Sequence, residues 1–392
     1  MEQQLLSLIR SELCAPETDP PQNPIDLTDN DLLTRMYTAA QKHDLTHIVG
    51  AALMKQGLAR DSAWYPIYRR ARIAAITRYE QLHAELGQLC TVLTSLGVPY
   101  IPLKGSALRP YYPYPEMRTS CDIDILIRQD DLARISDALT GEPGYRRLRA
   151  GSHDVQFIAP SGVLLELHFT LIDEESYPQM QPMLSRIWEY TVSDSENSCQ
   201  RTLTPEFAYF YHIAHMVKHY EYGGCGIRTV MDLWVYLHRA APLDRAILDP
   251  MLEEAGIAVF ESHMRTLCGI WFSDEQPTPE SAPLYRMMQE YILTGGIYGS
   301  VKNRMALGRL QTGGKLRYLL SRLFAPYSRL KYEYPILQKH RLLLPFCQIH
   351  RWFRLLSRRT AGRIANELAA TQALTADETS AMADMLHTLG LR

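Results

Sequence analysis

The chain has 392 residues, of which 46% are hydrophobic and 21% charged, and its formal net charge is -2. This length allows two or three domains, and the composition excludes a disordered or collagen-like chain. The near-neutral charge predicts no general attraction to nucleic acid or anionic membrane, although a local patch can still supply one.

The chain shows no targeting or cross-linking signal. Its first residues, MEQQLLSLIRSELC, lack a basic region followed by a continuous apolar run, which a secretory signal requires. No window reaches the roughly 18 uninterrupted apolar residues of a membrane-spanning helix. The seven cysteines are dispersed, with no C-x-x-C pair, which disfavours both a disulfide framework and a cysteine zinc site. We expect a cytoplasmic protein without a transmembrane segment.

Residues 1–95 are predicted to form an N-terminal helical region, because apolar residues recur at spacings of three and four, most clearly over 67–96. The proline-rich stretch 16–24 is predicted to be a loop between the first two helices.

The pattern changes to α/β over residues 96–175. The predicted strands are 98–103, 122–127, 154–158 and 163–169, with a helix over 129–139. The last two strands flank the turn 159–162 and are predicted to form a hairpin.

Helical periodicity returns after this core. Thr204 and Pro205 are a typical N-cap and first helical residue, and they begin a helix within the predicted helical domain 176–300, which is expected to close the cleft. Residues 301–392 form a predicted basic C-terminal helical region, in which 301–360 hold fourteen Lys or Arg against the single acid Glu333. The fold class is α+β, with a small mixed-sheet core between helical regions.

Asp122 and Asp124 carry the chemical signal. On a strand, side chains two residues apart point to the same face, so both carboxylates project together while Ile123 and Ile125 pack inward. Two adjacent anions repel unless a cation neutralises them. Hard divalent cations prefer such oxygen ligands. Because D-x-D also occurs on many solvated strands, the pair alone is weak evidence.

Two neighbouring segments strengthen the signal. Lys104, Gly105 and Ser106 lie between a strand and a helix, where glycine and free N–H groups can approach a phosphate. Glu166 and His168 alternate with leucines on a later strand, and such buried polar groups are costly unless they are paired or metal-bound.

This combination resembles the DNA polymerase beta-like nucleotidyltransferase superfamily. The string LGVPYIPLKGSALRPYYPYPEMRTSCDIDILI, followed by LLELHFTL, is similar to an uncharacterised bacterial nucleotidyltransferase family whose members contain LKG and DIDLLV-like motifs. Later segments, HIAHMVKHYEYGGCGIRTVMDLWVYL among them, are similar too, so the resemblance covers about residues 90–355.

The resemblance implies specific roles. Gly105 and Ser106 would hold the triphosphate, and Asp122, Asp124 and Glu166 would bind two Mg²⁺ ions. An acceptor hydroxyl would attack the α-phosphorus of a nucleoside triphosphate, with ATP as the expected donor. Replacing either aspartate by asparagine is expected to abolish turnover and to leave the fold intact, because repulsion is relieved.

Two features depart from the superfamily pattern. Fifteen residues separate Ser106 from Asp122, somewhat more than usual, so an inserted turn over 111–115 must be accommodated. The third acid is Glu166 rather than the more common aspartate, which keeps the charge but lengthens the reach.

Several further residues are candidates for binding the nucleotide. Lys104 and Arg118 are the nearest cations to the acids, and surface ion pairs are the alternative for both. His212, His215 and His219 share a helix face beside Lys218. They either line the cleft, where His215 and His219 would face the nucleotide, or pack in a helical core; zinc is a third option. His168 is also assigned to the nucleotide site.

Arg228 and Asp232 are spaced for an i, i+4 ion pair, and the family resemblance also gives Arg228 a role in orienting the cleft.

Two other functional classes stay open. The chain could be a catalytically silent nucleotide-binding or scaffold protein. It could also be an RNA-directed transferase whose basic segment follows a phosphate backbone, with interleaved aromatic residues that include Tyr318, Phe324 and Trp352. A membrane surface is another possible ligand of this segment, and a solvated helical face with its aromatic residues turned to the core explains the composition equally well. The expected partners are a nucleoside triphosphate and a hydroxyl-bearing small molecule, sugar, peptide or protein.

Overall fold

The computed structural model describes residues 1–14, 25–173, 176–193, 195, 198–297, 299–312, 317, 320–321, 323–355 and 375–391. The predicted loop 16–24 and the aromatic residue Tyr318 of the basic segment lie outside these residues. No described helix has both the length and the apolar character needed to cross a bilayer.

The N-terminal region is helical, as predicted. Its helices are α1 (Glu2–Cys14), α2 (Asn30–Lys42), α3 (Thr46–Lys55) and α4 (Trp64–Ser95). Asp29 caps α2 by accepting a hydrogen bond from the Leu32 amide. The long helix α4 connects two hydrophobic cores, because Tyr68 packs among the helices whereas Leu82 and Leu89 pack against the sheet.

A five-stranded mixed sheet forms the α/β core. Its strands are β1 (Tyr100–Pro102), β2 (Asp122–Ile127), β3 (Arg146–Ala150), β4 (Asp154–Ile158) and β5 (Leu164–His168). Their order is β1-β2-β5-β4-β3, with β2 and β5 parallel and every other pair antiparallel. This arrangement confirms the α+β class and places the acid-bearing strand β2 directly beside β5.

Short elements connect these strands. Helix α5 (Gly105–Leu108) follows β1, and α6 (Leu132–Thr140) follows β2. The predicted helix over 129–139 begins with a 3-10 turn, Gln129–Asp131, before α6. The predicted hairpin is β4–β5.

Strand β3 was not predicted. Four of its five residues are exposed, and it lies at the sheet edge with three arginines, so it lacks the apolar alternation by which a strand is recognised.

The second half of the chain is again helical. After α7 (Gln181–Leu184) and the strand pair β6 (Thr191–Val192) and β7 (Thr202–Leu203), the helices are α8 (Pro205–Tyr220), α9 (Ile227–His238), α10 (Arg245–Glu254), α11 (Ala258–Phe272), α12 (Ala282–Gly295) and α13 (Val301–Thr312). The predicted N-cap is confirmed, because the Thr204 side chain accepts a hydrogen bond from the Phe207 amide. Helices α8 and α9 share a core with the N-terminal helices.

The C-terminal region has its own small core. Helices α14 (Tyr327–Glu333), α15 (Ile336–Lys339) and α16 (Leu344–Leu355) enclose Leu330, Leu337 and Cys347. The last helix is α17 (Ala376–Thr388), which Thr375 and Glu378 begin with a capping box.

Candidate active site

Three carboxylates lie on one face of two adjacent strands. Asp124 on β2 is the direct partner of Glu166 on β5, and Asp122 precedes Asp124 by two residues. Strand alternation therefore brings all three side chains to the same face. The opposite face carries Ile123, Ile125 and other buried apolar residues of the sheet core. Placing acidic side chains on a packed strand costs free energy unless they are paired or bind a cation. We therefore regard this face as a candidate cation-binding site.

Asp124 is buried but not unpaired. Its Oδ1 accepts hydrogen bonds from Lys104 Nζ at 2.7 Å and contacts His168 Nε2 at 2.8 Å. Burial alone would raise the pKa of Asp124, but the ammonium of Lys104 and the imidazole of His168 hold the pKa well below its usual range. Asp124 is therefore a permanent anion held between two cationic or polar partners.

Glu166 is tied to the same imidazole. His168 Nε2 lies 3.6 Å from Glu166 Oε2, and Gln156 Nε2 donates to Glu166 Oε1 at 2.8 Å. The hydrogen bond from His168 lowers the pKa of Glu166. Burial would lower the pKa of His168 itself, but Asp124 and Glu166 together raise it. The imidazole thus joins the two carboxylates.

Asp122 differs electrostatically from its neighbour. Burial, followed by the like charge of Asp124, raises the pKa of Asp122. The pKa of Asp122 is raised, whereas that of Asp124 is lowered. The contrast indicates a face on which negative charge is concentrated and only partly neutralised. A cation bound between these carboxylates would relieve that repulsion.

The described residues contain one group of three metal-ligand side chains. Ligand atoms of Asp124, Glu166 and His168 all lie within 4.8 Å of one another. The two carboxylates suit a hard divalent cation, and the imidazole suits a transition metal. His168 Nδ1 is buried without a hydrogen-bond partner, so this ring is not held from its far side by the described residues. The two carboxylates of this group fit a hard divalent ion, with His168 as the contact that orients them, whereas Asp122 is not part of the group.

The predicted phosphate turn lies beside this face. Lys104 adopts a positive φ of 50°, and Gly105 begins the short helix α5. Gly105 is buried, and a Cβ built on it would approach Arg109 Nη2 to 3.2 Å. The structure places the Lys104 ammonium on Asp124, whereas the sequence assigned it to the nucleotide.

A small cavity of about 90 Å³ opens next to Lys104. Its polar wall comes mainly from α8 and α9, and its lining includes Arg118, His212, His215, His219 and Arg228. The structure therefore brings the predicted histidines and arginines together around one space. We call these five residues and Lys104 the cationic wall.

Two histidines of the cationic wall contact each other. His215 Nε2 lies 3.2 Å from His219 Nε2, whereas His212 Nε2 is 3.1 Å from the Thr229 carbonyl oxygen. Burial, reinforced by Lys218 and Lys104, lowers the pKa of His219 to about 4. Burial also lowers the pKa of His215 well below its usual value. Within the described chain these three histidines form no three-ligand metal group, so zinc there gains no support.

The predicted ion pair between Arg228 and Asp232 is wrong. Asp232 Oδ1 instead accepts hydrogen bonds from Arg118 Nε at 2.6 Å and from the Tyr112 hydroxyl at 2.5 Å. Arg228 Nη1 donates to the Thr119 carbonyl at 2.9 Å. Helical spacing makes the i, i+4 pair available, but Arg118, which is buried and follows the 3-10 turn Pro115–Met117, competes better for the carboxylate.

Arg228 also approaches Asp44 Oδ2 at 3.7 Å. Burial lowers the pKa of Arg228, with the charge of Arg118 acting in the same direction. Its guanidinium is therefore a cation whose burial is only partly offset by the carboxylates of Asp232 and Asp44, and an anion in the cavity would stabilise it.

A second, larger cavity of about 250 Å³ shares four lining residues with the first: Lys104, Leu108, Tyr211 and Tyr236. Apolar and aromatic side chains make up most of its lining, and Ser106 and Arg201 contribute polar groups. Lys104 thus lies between a polar, mainly basic space and a largely apolar one.

Sequence reasoning did not assign roles to Gln156 and Tyr211. Gln156 could have been found from the hairpin register, because pairing Ile158 with Leu164 sets Gln156 opposite Glu166. Tyr211 lines both cavities, and nothing in its helical context distinguishes it from a core tyrosine.

The sequence of the chain matches a family described as "Uncharacterised nucleotidyltransferase" over residues 30–273. Comparisons with curated proteins and with solved structures find no significant match. The matched stretch exceeds half of the chain and contains the acid face and helices α8 and α9. The chain therefore belongs to this family of nucleotidyltransferases and is a transferase enzyme of that kind.

Proposed function

We propose that the enzyme transfers a nucleoside monophosphate, AMP from ATP, to a hydroxyl group of an acceptor molecule, and that it requires Mg²⁺. The observation that carries this proposal is the shared face of Asp122, Asp124 and Glu166, which Lys104 links to the cationic wall by pairing with Asp124 and lining the cavity. Nucleotidyl transfer needs positioning and charge neutralisation rather than a covalent residue, so these two features are the relevant ones.

Asp122, Asp124 and Glu166 would hold the divalent ions. Bound there, the ions neutralise the charge that develops on the transferred phosphoryl group and lower the pKa of the acceptor hydroxyl. Lys104 and His168 already contact Asp124 Oδ1, so cation binding has to compete with both for this carboxylate. Lys104 can then turn to the phosphates, which agrees with its place in the lining of both cavities.

The two neighbouring cavities suit the chemistry of a nucleoside triphosphate. The cationic wall offers Arg228 and neutral histidines to phosphate oxygens, and the apolar space offers Tyr211 and Tyr236 to a flat aromatic base. Gly105 and Ser106 would hold the triphosphate. This division of roles supports a nucleotide as the ligand and leaves the acceptor to experiment.

The proposal is tested by incubating the protein with Mg²⁺, each of the four labelled ribonucleoside triphosphates and a cell extract. We expect label to move from ATP to a discrete acceptor, with pyrophosphate released. The Asp124→Asn variant is the negative control, and Asp130→Asn is the matched control, because Asp130 is an exposed acid outside the site.

The labelling experiment, combined with calorimetry, also tests whether the protein is a catalytically silent nucleotide-binding protein. The contacts from Lys104 and His168 to Asp124 would also suit a protein that binds nucleotide without a metal and does not turn it over. If calorimetry showed tight triphosphate binding and no triphosphate gave a labelled product, a catalytically silent nucleotide-binding protein would be favoured.

A further inference from the structure

Helix α16 and the turn before it expose an unusual amount of apolar surface. The exposed fractions are 92% for Leu342, 70% for Phe346, 45% for Ile349 and 71% for Phe353. Single exposed apolar residues are ordinary, but four within twelve residues of a chain that otherwise buries its core need an explanation.

These side chains share one side of the helix. Phe346, Ile349 and Phe353 are spaced at i, i+3 and i+7, which superimposes them along one face of α16. We call Leu342 and these three residues the apolar stripe. Phe346, Ile349 and Phe353 thus lie on one helix face, and Leu342 lies in the turn just before it.

The opposite side of α16 is already packed. Cys347 is buried with Leu330 and Leu337, and both Gln348 Nε2 and Trp352 Nε1 donate to the Leu323 carbonyl at 2.8 Å. One side of α16 therefore packs against the C-terminal region itself, and the apolar stripe lies on the side that faces solvent.

Basic residues are frequent in the segment that carries the apolar stripe. Residues 323–355 contain six Lys or Arg and one acid, Glu333, which pairs with Arg354. Lys339 and Arg341 are exposed immediately before Leu342. Because the whole chain is slightly acidic, this positive charge is a local property of the surface that carries the stripe.

We propose that the apolar stripe and its basic border bind the surface of an anionic phospholipid bilayer. An amphipathic helix with Phe and Leu on one side and basic residues beside them lies in the plane of the interface, with the apolar side inserted among the acyl chains. Anionic headgroups complement the surrounding cations.

The composition of the stripe favours lipid over nucleic acid. Basic residues would serve both ligands, but aliphatic Leu342 and Ile349 offer no ring on which a base can stack. Insertion into a bilayer uses aliphatic and aromatic side chains equally. No described helix spans a bilayer, so the contact is peripheral.

The test is co-sedimentation of the full chain with vesicles of phosphatidylcholine alone or mixed with phosphatidylserine. We expect binding to the mixed vesicles, at least tenfold weaker binding to neutral ones, and weakening with added salt. Phe346→Ser with Phe353→Ser should reduce binding to mixed vesicles at least tenfold, because two large apolar groups no longer insert. Lys339→Glu with Arg341→Glu should weaken it several-fold.

A matched control replaces two exposed apolar residues elsewhere, Ile73→Ser with Ile247→Ser, and should bind like the parent protein. Circular dichroism checks that each variant is folded. Failure of the parent to bind mixed vesicles would overturn the proposal. So would retention of single-stranded RNA without vesicle binding, or a dimer that Phe346→Ser with Phe353→Ser converts to a monomer.

Discussion

The two sides of the site are built in different ways. The acid face consists of alternate residues on β2 and β5, and its geometry follows from strand pairing alone. The cationic wall consists of residues from α8, α9 and the segment after β1, and its ion pairs follow from how these segments pack. A spacing of two residues on a strand therefore shows which side chains share a face. A spacing of four residues on a helix shows which side chains are close, but not which of them form an ion pair.

The electrostatic balance also differs between the two sides. On the acid face Asp124 is compensated, and Asp122 has a raised pKa. On the cationic wall, burial keeps His215 and His219 neutral and lowers the pKa of Arg228. Each side therefore lacks a part of the opposite charge that a metal-bound polyphosphate would bring.

The largest effect is expected from Asp124→Asn. Loss of this carboxylate should lower nucleotidyl transfer by about 10³-fold or more, because Asp124 is one of the carboxylates that would hold the metal. The measurement is the initial rate of labelled product formation at saturating Mg²⁺. A rate within tenfold of the parent protein would show that the acid face is not the catalytic site.

Asp124→Asn and Asp122→Asn are expected to differ in their free energy of unfolding. Removing Asp124 leaves Lys104 without its buried partner and should cost about 3–5 kcal/mol, whereas Asp122→Asn removes a repelled anion and should cost nothing. This expectation corrects the sequence-based view that both substitutions relieve repulsion. Urea unfolding of both variants measures it, and equal stabilities would refute the contrast.

The next effect is expected from His168→Gln, which removes the imidazole between Asp124 and Glu166. Outer contacts of this kind typically contribute 10–100-fold to metal affinity or activity. We expect Mg²⁺ to be required at a 10–100-fold higher concentration for half-maximal rate. An unchanged Mg²⁺ requirement would reduce His168 to a packing residue. His83→Gln on the exposed side of α4 is the matched control.

A smaller effect is expected on the cationic wall. Arg228→Ala should weaken triphosphate binding by about tenfold, equivalent to one charge-assisted contact, and should leave the Mg²⁺ requirement unchanged. Isothermal titration with ATP measures the affinity, and exposed Arg35→Ala is the control. If Arg228→Ala altered only the folding stability, Arg228 would be a structural residue that connects α9 to Asp44 rather than part of the nucleotide site.

The smallest effect is on pH dependence. The pKa of His219 is lowered to about 4, from 6.5, because burial and nearby Lys218 and Lys104 disfavour the imidazolium. Between these two values the unfolded chain binds more protons at this residue than the folded chain. Its contribution to stability is therefore complete above pH 6.5 and is lost as the pH falls toward 4.

His219→Gln should flatten the dependence of unfolding free energy on pH across that window. Urea titrations at intervals between pH 7 and pH 4 measure it, and a slope equal to that of the parent would show that His219 titrates normally.

Sequence reasoning reached much of this structure, for identifiable physical reasons. The strands β2, β4 and β5 were predicted because apolar residues alternate with polar ones, and the cap of α8 because Thr204 precedes Pro205. Strand β3 was missed because an exposed, arginine-rich edge strand carries no such alternation.

The partners within the site were harder to predict. The contact of Lys104 with Asp124 and the pairing of Arg118 with Asp232 join residues that are 20 and 114 positions apart. Only the packing of α5, β2 and α9 brings them together. Candidate site residues were therefore recognisable from local pattern, whereas their charges and partners required the fold.

The most direct test of the acid face is the binding of Mn²⁺, as a spectroscopic substitute for Mg²⁺, measured by electron paramagnetic resonance with ATP present. We predict that the parent protein and Asp130→Asn bind Mn²⁺ and that Asp124→Asn and Glu166→Gln do not. Equal Mn²⁺ binding by all four proteins would contradict the assignment of the metal to these strands.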